Sequence, residues 1–147
     1  MKKHHRITIC GLLIGLNLAL IWGNSAMTGD DSQAMSDWVL KLLAFLPEGE
    51  LGVFLVRKAA HFSEFALLGL LMGRMSTLLR GKTCPGILGL GLGCACIDET
   101  IQYYVPGRAS MLTDVWIDFS GFATGLILLT IGYTIYKRKH NPEEIKL

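Results

Sequence analysis

The stretch that decides the fold is "CACIDETIQYYVPGRAS" (94–110). It starts inside an apolar run and meets Asp98-Glu99 before that run has ended. Two adjacent carboxylates are costly there unless something faces them. Pro106-Gly107 ends the helix, and Tyr103-Tyr104 mark a membrane–water interface. Asp98 and Glu99 then lie about one to two helical turns below that interface.

Working outward, the run belongs to one of four apolar segments at about 7–23, 53–80, 84–105 and 114–136. Each approaches the ~20 residues a helix needs to cross a bilayer. The chain of 147 residues is 51% hydrophobic and only 18% charged, with the apolar residues gathered in blocks. The expected class is therefore all-α: a polytopic, four-transmembrane-helix bundle forming one membrane domain over 1–147. The first segment also has the basic start and apolar core of a signal peptide. Asn24 stands where a small residue is preferred for cleavage after Ala26, so an uncleaved helix is the better reading.

Basic residues set the expected topology. Lys2, Lys3 and Arg6 place the N-terminus in the cytoplasm, as Lys137, Arg138 and Lys139 place the C-terminus. Arg74, Arg80 and Lys82 put the turn between the second and third spans inside. The acidic segment 24–37 belongs outside, and Arg57 and Lys58 break the rule at the outer end of the second span. Between the first two spans, Met35, Trp38, Val39, Leu42 and Leu46 recur at three- and four-residue steps. They predict a short extracytoplasmic amphipathic helix over about 32–46, lying along the membrane surface.

Pairs of glycines four apart (Gly69/Gly73, Gly89/Gly93, Gly121/Gly125) predict close packing of the last three spans, with the first more peripheral. Cys10, Cys84, Cys94 and Cys96 have neither disulfide nor zinc spacing and read as small hydrophobes. No basic stripe on an aromatic or amphipathic face suggests nucleic acid.

The polar residues carry the functional signal. Arg57, His61 and Glu64 share one helix face, Asp98 and Glu99 share Gln102, and Asp114 and Asp118 are one turn apart. With Arg108 in the turn, all reach the same outer depth. Three cations (Arg57, Lys58, Arg108) oppose five carboxylates (Glu64, Asp98, Glu99, Asp114, Asp118), so pairing alone cannot neutralise them. A clamp of Arg108 with Asp114 and Arg57 with Glu64 is the structural alternative. An outward-facing polar pocket accounts for the whole set better.

Three blocks then carry a resemblance: "RKAAHFSEFALLGLL" (57–71), "DETIQYYVPGRAS" (98–110) and "DVWIDFSGFATG" (114–125). They resemble the VanZ-like family of small bacterial integral membrane proteins, named for a member associated with low-level resistance to the glycopeptide teicoplanin. The resemblance covers about 53–130 and implies functional positions at Lys58, His61, Glu64, Asp98, Glu99, Gln102, Arg108, Asp114 and Asp118. Phe65 stands where the family more often has Tyr. The first helix and the acidic loop carry no family signal.

The expected function is binding or processing of a cell-envelope lipid or lipid-linked precursor. His61, Glu64, Asp98 and Glu99 are the acid–base candidates, since neighbouring carboxylates in a low dielectric differ in acidity. Arg57, Lys58, Gln102, Arg108, Asp114 and Asp118 are the binding candidates, the cations for phosphate. A divalent cation on Asp98, Glu99, Asp114 and Asp118 is chemically reasonable, although no spacing is diagnostic. The other classes are a non-catalytic protein shielding glycopeptide or precursor, a small proton-coupled transporter, and a folding clamp.

Overall fold

The computed structural model describes residues 2–43, 45–47 and 49–140. It has five helices and, among the described residues, no strand: α1 (Lys3–Ser25), α2 (Gly29–Leu42), α3 (Glu50–Arg80), α4 (Gly86–Tyr103) and α5 (Leu112–His140). The long helices α1, α3, α4 and α5 run alternately up and down. The end of α1, the start of α3, the end of α4 and the start of α5 therefore meet at one end, with α2 beside them.

Three of the helices, α1, α3 and α5, are long and apolar enough to cross a membrane. The 18-residue α4 is about 27 Å long. Its hydropathy is lowered by Asp98, Glu99 and Gln102, all of them buried. Its outer surface is apolar, with Leu88, Leu90, Leu92 and Ile97 exposed. Exposed Leu12, Leu16 and Leu20 on α1, and Ile127, Leu128 and Ile131 on α5, continue that belt. For a multi-pass protein the belt is the lipid-facing side.

Helices α3 and α5 pack most closely, because glycine lets their backbones touch. A side chain added at Gly69 would collide with the Phe122 carbonyl, one at Gly121 with that of Phe62, and one at Gly125 with that of Ala66. On α4 the expected Gly89 and Gly93 meet nothing within 4 Å; the close approach is instead at Gly91, against the Phe122 ring. Phe122 is thus the hub of a core containing Ile21, Phe65, Leu68, Ala95 and Leu126.

The first helix is, as expected, the least buried of the three long apolar helices, yet it is anchored to the bundle at defined points. Ile21 is fully buried in the core, and Cys10 Sγ donates to the Leu71 carbonyl at 3.4 Å. The helix fits because its apolar residues surround a narrow strip of small and polar ones (Cys10, Asn17, Ser25) that faces the bundle.

The connections explain their ends. Thr28 caps α2 by accepting the Asp31 N–H at 3.3 Å, and Asp30 and Asp31 complement the helix dipole. Gly29 donates to the Pro106 carbonyl at 3.1 Å, which ties α2 to the α4–α5 turn. Only Gly fits at Gly107, which has φ +75° and lies against the Gly29 backbone. The face that α2 buries carries Ser32 and Ser36, whereas Trp38 and Leu42 point outward and Met35 lies part-exposed at the edge of a cleft. The helix also begins three residues earlier and stops before Leu46.

Candidate functional site

The ten polar residues expected to gather do so, but in separate groups. The deepest is His61 of α3 with Asp98 of α4 and Asp118 of α5. His61 Nδ1 lies 3.4 Å from Asp118 Oδ1 and 3.6 Å from Asp98 Oδ2. Both aspartates are 0% exposed. Their environments differ sharply. Asp98 Oδ1 accepts from Ser25 Oγ at 2.6 Å, and its Oδ2 accepts from Gln102 Nε2 at 2.8 Å. Asp118 has no hydrogen-bond donor for either oxygen among the described residues, and His61 Nδ1 has no acceptor.

Glu99 belongs to a second group. Its Oε2 accepts from Ser110 Oγ at 2.8 Å and from the Met111 N–H at 2.9 Å, and Gln102 Nε2 reaches its Oε1 at 3.3 Å. A carboxylate accepting a backbone N–H and a hydroxyl from the α4–α5 connection pins that loop. In the third group Lys58 pairs with Asp114, and its ammonium stands 5.1 Å from the Phe54 ring centre.

The fourth group lines a cleft of about 410 Å³. Asn24, Arg57, His61, Glu64 and Arg108 supply one wall, and Met35, Val39, Leu43 and Val56 an apolar one. Asn24 Nδ2 donates to Glu64 Oε1 at 2.6 Å. Arg108 donates from Nε to the Met27 carbonyl at 3.1 Å and from Nη2 to the Asn24 carbonyl. Both carbonyls lie where α1 ends; that of Asn24 also accepts the Met27 N–H at 3.2 Å, so Arg108 is its second donor, and a cation at a helix C-terminus meets the negative end of its dipole. Burial, with the neighbouring Arg57 charge, lowers the Arg108 pKa from the usual guanidinium value.

The clamp weighed as the structural alternative is therefore not the one formed. Asp114 takes Lys58 instead of Arg108, and Glu64 takes Asn24 instead of Arg57. Among the described residues Arg57 makes no ion pair. The four carboxylates considered for a cation do not converge either, since Glu99 and Asp114 are committed elsewhere. Asn24, Ser25 and Ser110 were missed. The available signal was Asn24-Ser25, a polar pair closing an apolar helix at the depth of Asp98.

With this geometry in place, the family comparison is decisive. The family model described as VanZ/LLP1 matches residues 10–134. The chain belongs to the VanZ/LLP1 family. The match extends beyond the three motif blocks to take in α2 and α1 from Cys10 onward, segments that carried no recognisable signal. Their inclusion agrees with the contacts of Asn24 and Ser25, which make α1 a structural part of the polar end. No curated protein and no solved structure gives a significant match.

Proposed function

We propose that this VanZ/LLP1 member is a four-span bacterial plasma-membrane protein whose outward-facing cleft binds the phosphorylated headgroup of a cell-envelope lipid or lipid-linked precursor. The observation that carries the proposal is the pairing of Arg57 and Arg108 in one cleft with an apolar wall. Neither guanidinium is spent on a carboxylate: Arg108 is held by backbone carbonyls, and Arg57 makes no ion pair among the described residues. Two such cations favour an anion, and phosphate suits the planar fork. The wall of Met35, Val39, Leu43 and Val56 suits an acyl or prenyl chain.

The fourth span in this reading is α4. Its inward face buries Asp98, Glu99 and Gln102 against partners, so that the surface left to lipid is its leucines, Ile97, glycines and Cys96, with the Thr100 hydroxyl satisfied by the Cys96 carbonyl. The basic residues at both chain ends and at the 80–82 turn favour cytoplasmic termini. Labelling of Cys84 from the cytoplasmic face only would support that orientation, and labelling from outside would reverse it. Family membership ties the chain only loosely to glycopeptide resistance; in this reading, binding in the cleft would either shield precursor or precede chemistry by His61 and Glu64. Against a proton-coupled carrier stands the other half of the α3–α5 interface, closed by Gly69, Gly73, Phe122 and Leu126.

The test is binding of purified protein to nanodiscs containing a polyprenyl phosphate or phosphatidylglycerol, against phosphate-free lipid. Arg57→Gln should weaken phospholipid binding by about tenfold or more, the worth of one charge-assisted contact. Equal binding of charged and uncharged lipids would sink the reading. Mass spectrometry of the incubated lipid then separates turnover from shielding.

A further inference from the structure

We propose that His61, Asp98 and Asp118 form a binding site for one divalent transition-metal cation, with Zn²⁺ the best match, at the floor of the cleft. The inference stands on the geometry of these three residues and does not depend on which lipid, if any, the cleft receives.

Three helices each deliver one ligand atom, and the three atoms lie within 4.8 Å of one another. In a tetrahedral shell with bonds of about 2.0–2.1 Å, neighbouring ligand atoms stand about 3.3–3.4 Å apart. The His61 to Asp118 and His61 to Asp98 separations of 3.4 and 3.6 Å match that spacing. They are poor hydrogen bonds, and His61 Nδ1 and both Asp118 oxygens find no other partner among the described residues. A fully buried carboxylate whose nearest donor atom is a ring nitrogen at 3.4 Å is poorly compensated for its desolvation. A cation supplies what is missing to Asp118 and to the imidazole nitrogen together.

Charge agrees with geometry. Two carboxylates and a neutral imidazole carry a formal −2, which one divalent ion cancels; the nearest lysine, Lys58, is spent on Asp114. The surroundings resemble the outer shell of a metal site, in which ligands are themselves hydrogen-bonded. Ser25 and Gln102 both donate to Asp98 and fix its orientation, leaving Oδ2 toward His61. One nitrogen and two carboxylates suit Zn²⁺ or Mn²⁺ better than the all-oxygen shells of Ca²⁺ and Mg²⁺. Three protein ligands leave a fourth position for water or a guest.

The test uses the full chain in detergent, stripped with chelator, loaded with Zn²⁺, desalted and assayed for metal by mass spectrometry. We expect about one Zn²⁺ per chain and a higher Tm, as for any ligand that binds only the folded state. Asp118→Asn and His61→Gln should each drop the content to about a tenth or less. Asp114→Asn, and a variant with His4 and His5 both replaced by Ala, should retain it. If Asp118→Asn does not accumulate folded, the intense visible absorption of tetrahedral Co²⁺ in the wild type, and its loss in His61→Gln, decides the matter. Absence of bound Zn²⁺ in the wild type, or one equivalent surviving both His61→Gln and Asp118→Asn, overturns the site. Arg57→Gln should keep the metal while losing phospholipid, so failure of one proposal leaves the other readable.

Discussion

The two halves of the α3–α5 interface are built on opposite principles. Toward the 80–86 turn, Gly69, Gly121 and Gly125 bring backbone against backbone, and Phe122 fills the space beside Gly91. That half is close-packed where the glycines meet, and its titratable groups, Arg74, Tyr133 and Tyr136, line a cleft beyond those contacts instead of entering them. Toward the α2 end, the same two helices diverge in chemistry: Lys58 faces Asp114 and His61 faces Asp118. The first half holds the helices at a distance that the second needs. Rigid packing one or two turns below the polar groups is what lets three helices hold His61, Asp98 and Asp118 in register.

The comparison can be broken from either side. The largest effect should come from Gly125→Val, which drives a branched side chain into the Ala66 carbonyl and the α3 backbone. Overpacking of this kind costs about 1–3 kcal/mol or more. We expect the variant to be depleted from the membrane and to melt early in detergent. A normal melting temperature would mean that the contact is looser than described.

At the polar end the effects should split by partnership. Glu99→Ala removes the acceptor of the Ser110 hydroxyl and the Met111 N–H, leaving both donors without it, at about 1–3 kcal/mol. Asp118→Asn, measured without metal, removes a buried charge whose one contact is His61 at 3.4 Å with no well-formed hydrogen bond, and should cost less than Glu99→Ala in thermal melts. Equal destabilisation by both would contradict the difference in hydrogen bonding between the two carboxylates. Smallest of all should be Lys58→Met. Its pair with Asp114 is partly exposed, with side chains 21% and 13% accessible, and such pairs contribute about 0–1 kcal/mol. Unchanged melting with altered lipid binding would assign Lys58 to the cleft instead of the fold.

Much of this was legible in the sequence, and the exceptions have physical causes. The spacing of His61 and Glu64 on one face and the depth of Asp98 follow from helical periodicity alone. Partner choice does not. Arg108 turned from Asp114 to the carbonyls closing α1 because that helix ends beside it, which no local pattern announces. Gly89 and Gly93 had the right spacing but face away from the bundle, because the rotation of α4 is set by burial of Asp98, Glu99 and Gln102. Met35, Trp38 and Leu42 likewise formed an apolar face, but the face α2 buries is that of Ser32 and Ser36.

By itself the sequence determined that this chain is helical and apolar, with one polar end, because helical period and hydrophobicity are local properties of adjacent residues. The motif blocks also determined its family. Only the tertiary structure decided that α1 joins the polar end through Asn24 and Ser25, and that Asp118 is left without a donor while Glu99 is saturated. Those outcomes depend on which side chains the packed helices bring within about 3 Å of each other, the range of a hydrogen bond. That distance is set by glycine contacts within about two helical turns, along α3 and α5, of the residues they align.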